Sequence, residues 1–152
     1  MQSTVVSSWN DFDPLKHAIV GRADFTCIPP SEPATEAKVP EDSDMRGMWG
    51  PRPLATVERA NAQLDNLVNL LESRGVRVDR PEPIQWNQAV NTPDFTTGSM
   101  FGCMPPRDVL LTVGKEILSA PMSFRCRYWE FLAYHTLMQR YFDEDPGFRW
   151  EQ

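Results

Sequence analysis

The stretch from Leu54 to Arg80 constrains the fold most. Val57, Ala60, Leu64, Leu67, Val68 and Leu71 recur at steps of three and four, with Glu58, Arg59, Asp65 and Glu72 opposite, the spacing of an amphipathic helix over Leu54 to Arg74. Gly75 can take the left-handed conformation that closes such a helix. Val76 to Arg80 then alternates at period two, predicting a strand with one buried face. A helix passing through a glycine into a strand is the α-β half of a repeated unit, so an α/β fold is expected.

Pro81 and Pro83 keep the chain extended from Arg80 to Trp86, and it then enters the segment Asn91 to Met122. Here a polar loop ends in Pro105-Pro106-Arg107-Asp108 and runs into Val109 to Val113. With Gly114-Lys115 as a turn and Glu116 to Ala120 behind it, a β-hairpin is predicted. Asp108 stands at the head of the first strand, held beside solvent where a carboxylate can grip a cationic ligand. On spacing alone the ordinary role, a turn or capping carboxylate, is the better reading. Arg107 is placed as its salt-bridge partner and as support for the loop.

Upstream, Thr4 to Trp9 and His17 to Gly21 read as strands around a turn at Asn10 to Pro14. His17, beside Lys16, is expected to be structural or solvent-facing. Residues 28 to 53 are rich in Pro, Glu and Asp without periodicity, which predicts a long loop of the kind that serves as a lid or flexible segment. Met45, Met48 and Trp49 either pack this loop down or form an apolar tip. Downstream, Pro121 and Ser123 open a helix expected from Phe124 to about Phe142, so dense in apolar residues that more than one face needs covering. The tail from Asp143 to Gln152 is expected to hold no strand, leaving that helix with little to pack against and an apolar face exposed.

The 152 residues have the length of one domain, and a net charge of -6 with scattered Lys and Arg argues against a nucleic-acid surface. No apolar run is long enough for a membrane span, and the polar start lacks a signal-peptide core, so a cytoplasmic protein is expected. Cys27, Cys103 and Cys126 show neither disulfide nor metal-ligand spacing. No metal and no cofactor is expected.

Several of these stretches, in order, resemble the amidinotransferases, the family of the arginine:glycine enzyme and its inosamine-phosphate and cyanotoxin-pathway relatives. They are SSWNDFDPLKHAIVGRA from Ser7, GVRVDRPEPIQW, TPDF, PRD with its strand, and VGKEILSAPMSFRCRYWEFLAYHTLMQRYF. The likeness lapses over 28 to 53. It implies an α/β propeller of five ββαβ modules, of which residues 1–152 would be the N-terminal portion, about two modules. It also implies transfer of the amidino group of L-arginine to an acceptor amine through an amidino-cysteine intermediate.

The family's PRD aspartate, a substrate ligand, maps onto Asp108. The motif here reads Met-Pro-Pro-Arg-Asp where Met-Pro-Arg-Asp is expected, so the loop carries an extra residue. The family's cysteine, histidine and second aspartate would lie beyond Gln152, and no catalytic residue is assigned within the chain. His135 is expected to be a core or interface residue. Cys103 has no histidine nearby, and Cys126, though between two arginines, reads as a small buried residue. The chain is therefore expected to be truncated and inactive alone, needing a C-terminal half or homologous chain and prone to self-association. A non-catalytic module for a guanidino or amine ligand is the alternative, and a fragment of an arginine deiminase-like hydrolase ranks third.

Overall fold

The computed structural model describes residues 4–44 and 46–152, and Met45 lies outside the described residues. The first strand, β1 (His17–Ile19), is shorter than expected. Thr4 to Trp9 forms no strand and makes only a bridge of Ser8 to Gly114. Asn10 turns the chain away there, its Oδ1 accepting from the N–H groups of Phe12 and Asp13. The loop is tied at its base, because β2 (Cys27–Ile28) is antiparallel to a strand that follows α1 (Pro33–Glu36), namely β3 (Gly50–Pro51). Pro33 suits the first position of α1, where no N–H is needed. The Trp49 ring lies against Gly98 and Met48 lines a cavity, while both remain more than half exposed.

The predicted helix is present as α2 (Leu54–Glu72), capped by Ser73, with Gly75 at φ +78. Its stripe of Val57, Ala60, Leu64, Val68 and Leu71 is half-buried, while Leu67 faces solvent. It leads into β4 (Arg77–Asp79), which pairs with β1 in parallel, His17 opposite Arg77 and Ile19 opposite Asp79. A parallel pair needs such a crossover, and α2 supplies it.

Beyond the extended segment, β5 (Val90–Asn91) and β6 (Thr96–Thr97) make a small antiparallel pair. One helical turn, α3 (Pro106–Val109), precedes the predicted hairpin of β7 (Leu110–Val113) and β8 (Glu116–Ser119), turned at Gly114 with φ +58. The long C-terminal helix is broken into 3-10 turns at Arg125–Arg127 and Glu130–Tyr134, followed by α4 (His135–Glu144). Aromatic residues on several sides of this segment must reach different neighbours, and the tighter turns re-aim them.

The tail does hold a strand, contrary to expectation: β9 (Arg149–Glu151) is parallel to β8, with Ile117 opposite Trp150. Phe148 packs edge-on to Tyr141, and Trp150 to His135. The apolar face of α4 is thereby covered, Leu137, Met138 and Tyr141 all being buried. The sheets are small, three of two strands and one of three among the described residues, so the fold is mixed α/β. One core, built on Trp86, Val109, Ile117, Tyr134, Met138 and Tyr141, joins them.

Candidate functional site

Three constraints place Asp108. Gly21, at the end of the β1 segment, lies so close to the loop that a Cβ there would run into the carbonyls of Cys103 and Met104. Next to it, Arg22 bridges to Cys103 and donates from Nε to the Pro81 carbonyl at 3.0 Å. Pro106 opens α3, and buried Val109 anchors its end, its carbonyl accepting from Ala120 N–H at 2.7 Å. Asp108 therefore sits in a helical turn before the strand rather than on the strand itself. The second proline of the Pro-Pro pair is the residue that starts this turn.

The partner of Asp108 is Arg127, not Arg107. Arg127 Nη1 donates to Asp108 Oδ2 at 3.1 Å, while its Nε and Nη2 donate to the two oxygens of Glu130, both at 2.8 Å. The row runs from solvent inward, with side-chain exposures of 39% for Asp108, 14% for Arg127 and 0% for Glu130. Phe101 lies under the guanidinium, 5.4 Å from its centre. Burial pushes the Glu130 carboxyl up to about 7, even though Arg127 opposes the shift. For Arg127 burial works the other way, yet its two carboxylate partners keep the guanidinium above its ordinary value. A carboxylate backed by a fixed guanidinium keeps its aim. Oδ1 of Asp108 accepts no hydrogen bond among the described residues.

Arg107 forms no ion pair among the described residues and lines a separate cavity of about 250 Å³ with Val5, His17, Ile19 and Tyr141. His17 is part of a buried cluster. Its Nε2 lies 2.6 Å from Asp79 Oδ2 and its Nδ1 3.0 Å from the Val5 carbonyl. Asp79 also accepts from Tyr141 at 2.8 Å and from Arg140, and forms an ion pair with Arg77 at 3.1 Å. Burial alone would raise the Asp79 carboxyl, but these donors outweigh it and hold it below the usual carboxylate range. His135, expected in the core or at an interface, is exposed, with Phe131 at a tilt on one side and Trp150 edge-on on the other.

All three thiols are buried, and burial pushes Cys27 up, Cys103 up to about 11 and Cys126 up to about 12. Among the described residues no three His, Cys, Asp or Glu side chains converge as a metal site, and no helix is long and apolar enough to cross a membrane. Sequence reasoning missed the link of Arg127 and Glu130 to Asp108. The i,i+3 spacing of Arg127 and Glu130 was visible, whereas a contact across 19 residues left no local signal.

No protein-family model matches the chain. It is 39% identical over 153 residues to the mitochondrial glycine amidinotransferase of Gallus gallus, covering 95% of this chain and 34% of that protein. It is 37% identical to the L-arginine:L-lysine amidinotransferase of Pseudomonas savastanoi pv. phaseolicola, over 99% of this chain and 41% of that one. Among solved structures it superposes on SxtG, an amidinotransferase of the saxitoxin biosynthetic pathway from Microseira wollei, with a TM-score of 0.87 and 33% identity over 96% of this chain and 42% of that one. For the inosamine-phosphate amidinotransferase StrB1 of Streptomyces griseus the TM-score is 0.86, with 34% identity over 98% and 43%. The chain thus spans about a third of the length of the vertebrate relatives it matches. In sequence and in fold these residues resemble a part of the amidinotransferases.

Proposed function

We propose that this stretch of an amidinotransferase holds the guanidinium of L-arginine through Asp108, and that the nucleophilic thiol comes from outside these 152 residues. The observation that carries the reading is the Asp108 carboxylate: one oxygen already engages a guanidinium, and the other is unpaired among the described residues beside solvent. Arg127, locked from behind by buried Glu130, fixes the carboxylate so that the free oxygen meets a donor at little cost in ordering.

In the complete reaction a thiolate attacks the guanidino carbon, the C–N bond to ornithine breaks as ornithine leaves with a proton, and an acceptor amine then displaces the thiol. A negative partner for the guanidinium must be in place throughout, and that is the role of Asp108. Burial keeps Cys27, Cys103 and Cys126 protonated, which supports a nucleophile supplied by a C-terminal half or a homologous chain. Arg107 supports the α3 turn from its other side. Two of the five ββαβ modules of an α/β propeller are the architecture in this reading. Its support is the order hairpin β7–β8, helix α4, parallel strand β9, with β1, α2 and β4 as a second, shorter version.

A second reading, a module that binds a guanidino or amine ligand without chemistry, is favoured by the same three buried thiols. Exposed Trp9, Phe12 and Leu15 are the surface on which self-association or docking of the remaining modules would occur. Three free thiols suit a reducing compartment such as the cytoplasm, although the vertebrate relatives carry a mitochondrial label.

Mass-resolved release of ornithine from arginine tests the proposal, with the chain alone and with the remaining part supplied from a full-length relative. Release only in the mixture, abolished by Asp108→Ala, is expected. Full release with Asp108→Ala refutes the assignment, and arginine-dependent stabilisation without release in either sample selects the binding module.

A further inference from the structure

The loop between β2 and α2 roofs a second cavity, of about 290 Å³, walled by Ile28, Val39, Met48, Phe101 and Phe124. Of the four cations that line it, three make no ion pair among the described residues. Lys38 Nζ lies 4.6 Å over the Phe124 ring, Arg46 donates to the Val39 carbonyl at 3.3 Å, and the Arg52 side chain makes no hydrogen bond or ion pair among the described residues. Glu36 is the only acid among the described lining residues, and it is tied to the Ser31 hydroxyl. The loop's own Glu41, Asp42 and Asp44 are exposed and do not line the cavity. In a chain of net charge -6, unpaired cations gathered around an apolar hollow run against the overall balance.

We propose that this cavity binds a small organic acid, with an aromatic or branched aliphatic body against Phe101, Val39 and Phe124 and its carboxylate on Arg52. A guanidinium fork takes a planar carboxylate through two parallel hydrogen bonds, and apolar walls with few polar anchors are the usual make-up of a small-molecule site. Lys38 and Arg46 supply the surrounding positive field. Arg127 also lines the cavity, but its donors are already committed to Glu130 and Asp108.

The test is methyl NMR on the 152-residue chain titrated with phenylbutyrate, its neutral amide and inorganic phosphate. Phenylbutyrate should shift the methyls of Ile28, Val39 and Met48 and leave Val5 and Ile19, in the other cavity, unmoved. The amide should bind about tenfold more weakly, the loss of a charge-assisted hydrogen bond, and Arg52→Gln should bring the acid down to the amide's affinity. Equal binding of acid and amide overturns the proposal. So does phosphate binding as tightly as the acid, absence of shifts at those three methyls, or wild-type affinity in Arg52→Gln. If Arg52→Gln does not fold, the acid and amide comparison on the unaltered chain decides.

Discussion

Replacing Arg127 with Met should destabilise the protein by an amount that depends on pH in a set direction. The substitution keeps side-chain bulk but removes two hydrogen bonds to Glu130 and one to Asp108. Glu130 is fully buried, so it is left without a partner. Where Glu130 is protonated, the loss is that of unsatisfied buried polar groups, about 1–3 kcal/mol. At higher pH a charge term is added. In the wild type the Glu130 carboxyl is raised from 4.5 to about 7, so the folded state binds a proton that the unfolded state has lost, and stability falls as pH rises across that window.

Without Arg127 the carboxyl rises further, and the fall continues above 7 at about 1.4 kcal/mol per pH unit. The variant's deficit should therefore be about 2 kcal/mol larger at about pH 8.5 than at about pH 6, for a total of about 3–5 kcal/mol. Urea unfolding of both proteins at the two pH values measures it. The double variant Arg127→Met/Glu130→Met should regain most of the loss, because an apolar pair of similar volume replaces a buried ion pair at little cost. A deficit equal at both pH values, or a double variant worse than the single one, would refute the reasoning.

Asp79→Ala removes the shared partner of four side chains, His17, Arg77, Arg140 and Tyr141, and should cost about 3 kcal/mol at neutral pH. Because the folded Asp79 value lies below 3.8, this contribution is present above that pH and is lost as pH falls through the folded value. The gap to wild type in urea melts should close in acid, and a constant gap would count against the cluster as described. Cys103 and Cys126, raised to about 11 and about 12, should resist iodoacetamide at neutral pH in the folded chain and react on unfolding. Rapid labelling of either in the native state would reopen the question of a local nucleophile.

Helix α2, strand β4 and the hairpin of β7 and β8 were legible because each rests on local periodicity closed by a glycine with positive φ, Gly75 or Gly114. Gly-Arg-Ala at 21 to 23 could be matched as a motif, but its reason is a close approach to Cys103 and Met104 that no spacing encodes. Strand β9 was missed because three residues in a tail rich in Asp, Pro and Gly carry no strand pattern, and their pairing with β8 is set by α4. The break of the last helix was missed for a related reason, since aromatic residues on every side suit a helix locally and are divided only by what they pack against. Asp108 was singled out through its motif, and its ion-pair partner Arg127 was not. Their ion pair depends on where the hairpin returns the chain.

The two ends of the described chain are fastened to the same place. Val5 N–H donates to Asp145 at a separation of 140 residues, and β9 completes the sheet that Ser8 touches at Gly114. On a ribosome the segment from Val5 to Ser8 therefore waits, unable to reach its final neighbours until the last of these residues has left the exit tunnel. Loop closure over such a distance is slow compared with local hairpin or helix formation. During synthesis α2 and the hairpin can form early while Val5, Val6 and the exposed Trp9 stay uncovered, so the interval before Asp145 arrives is when this chain is most open to aggregation and to chaperones.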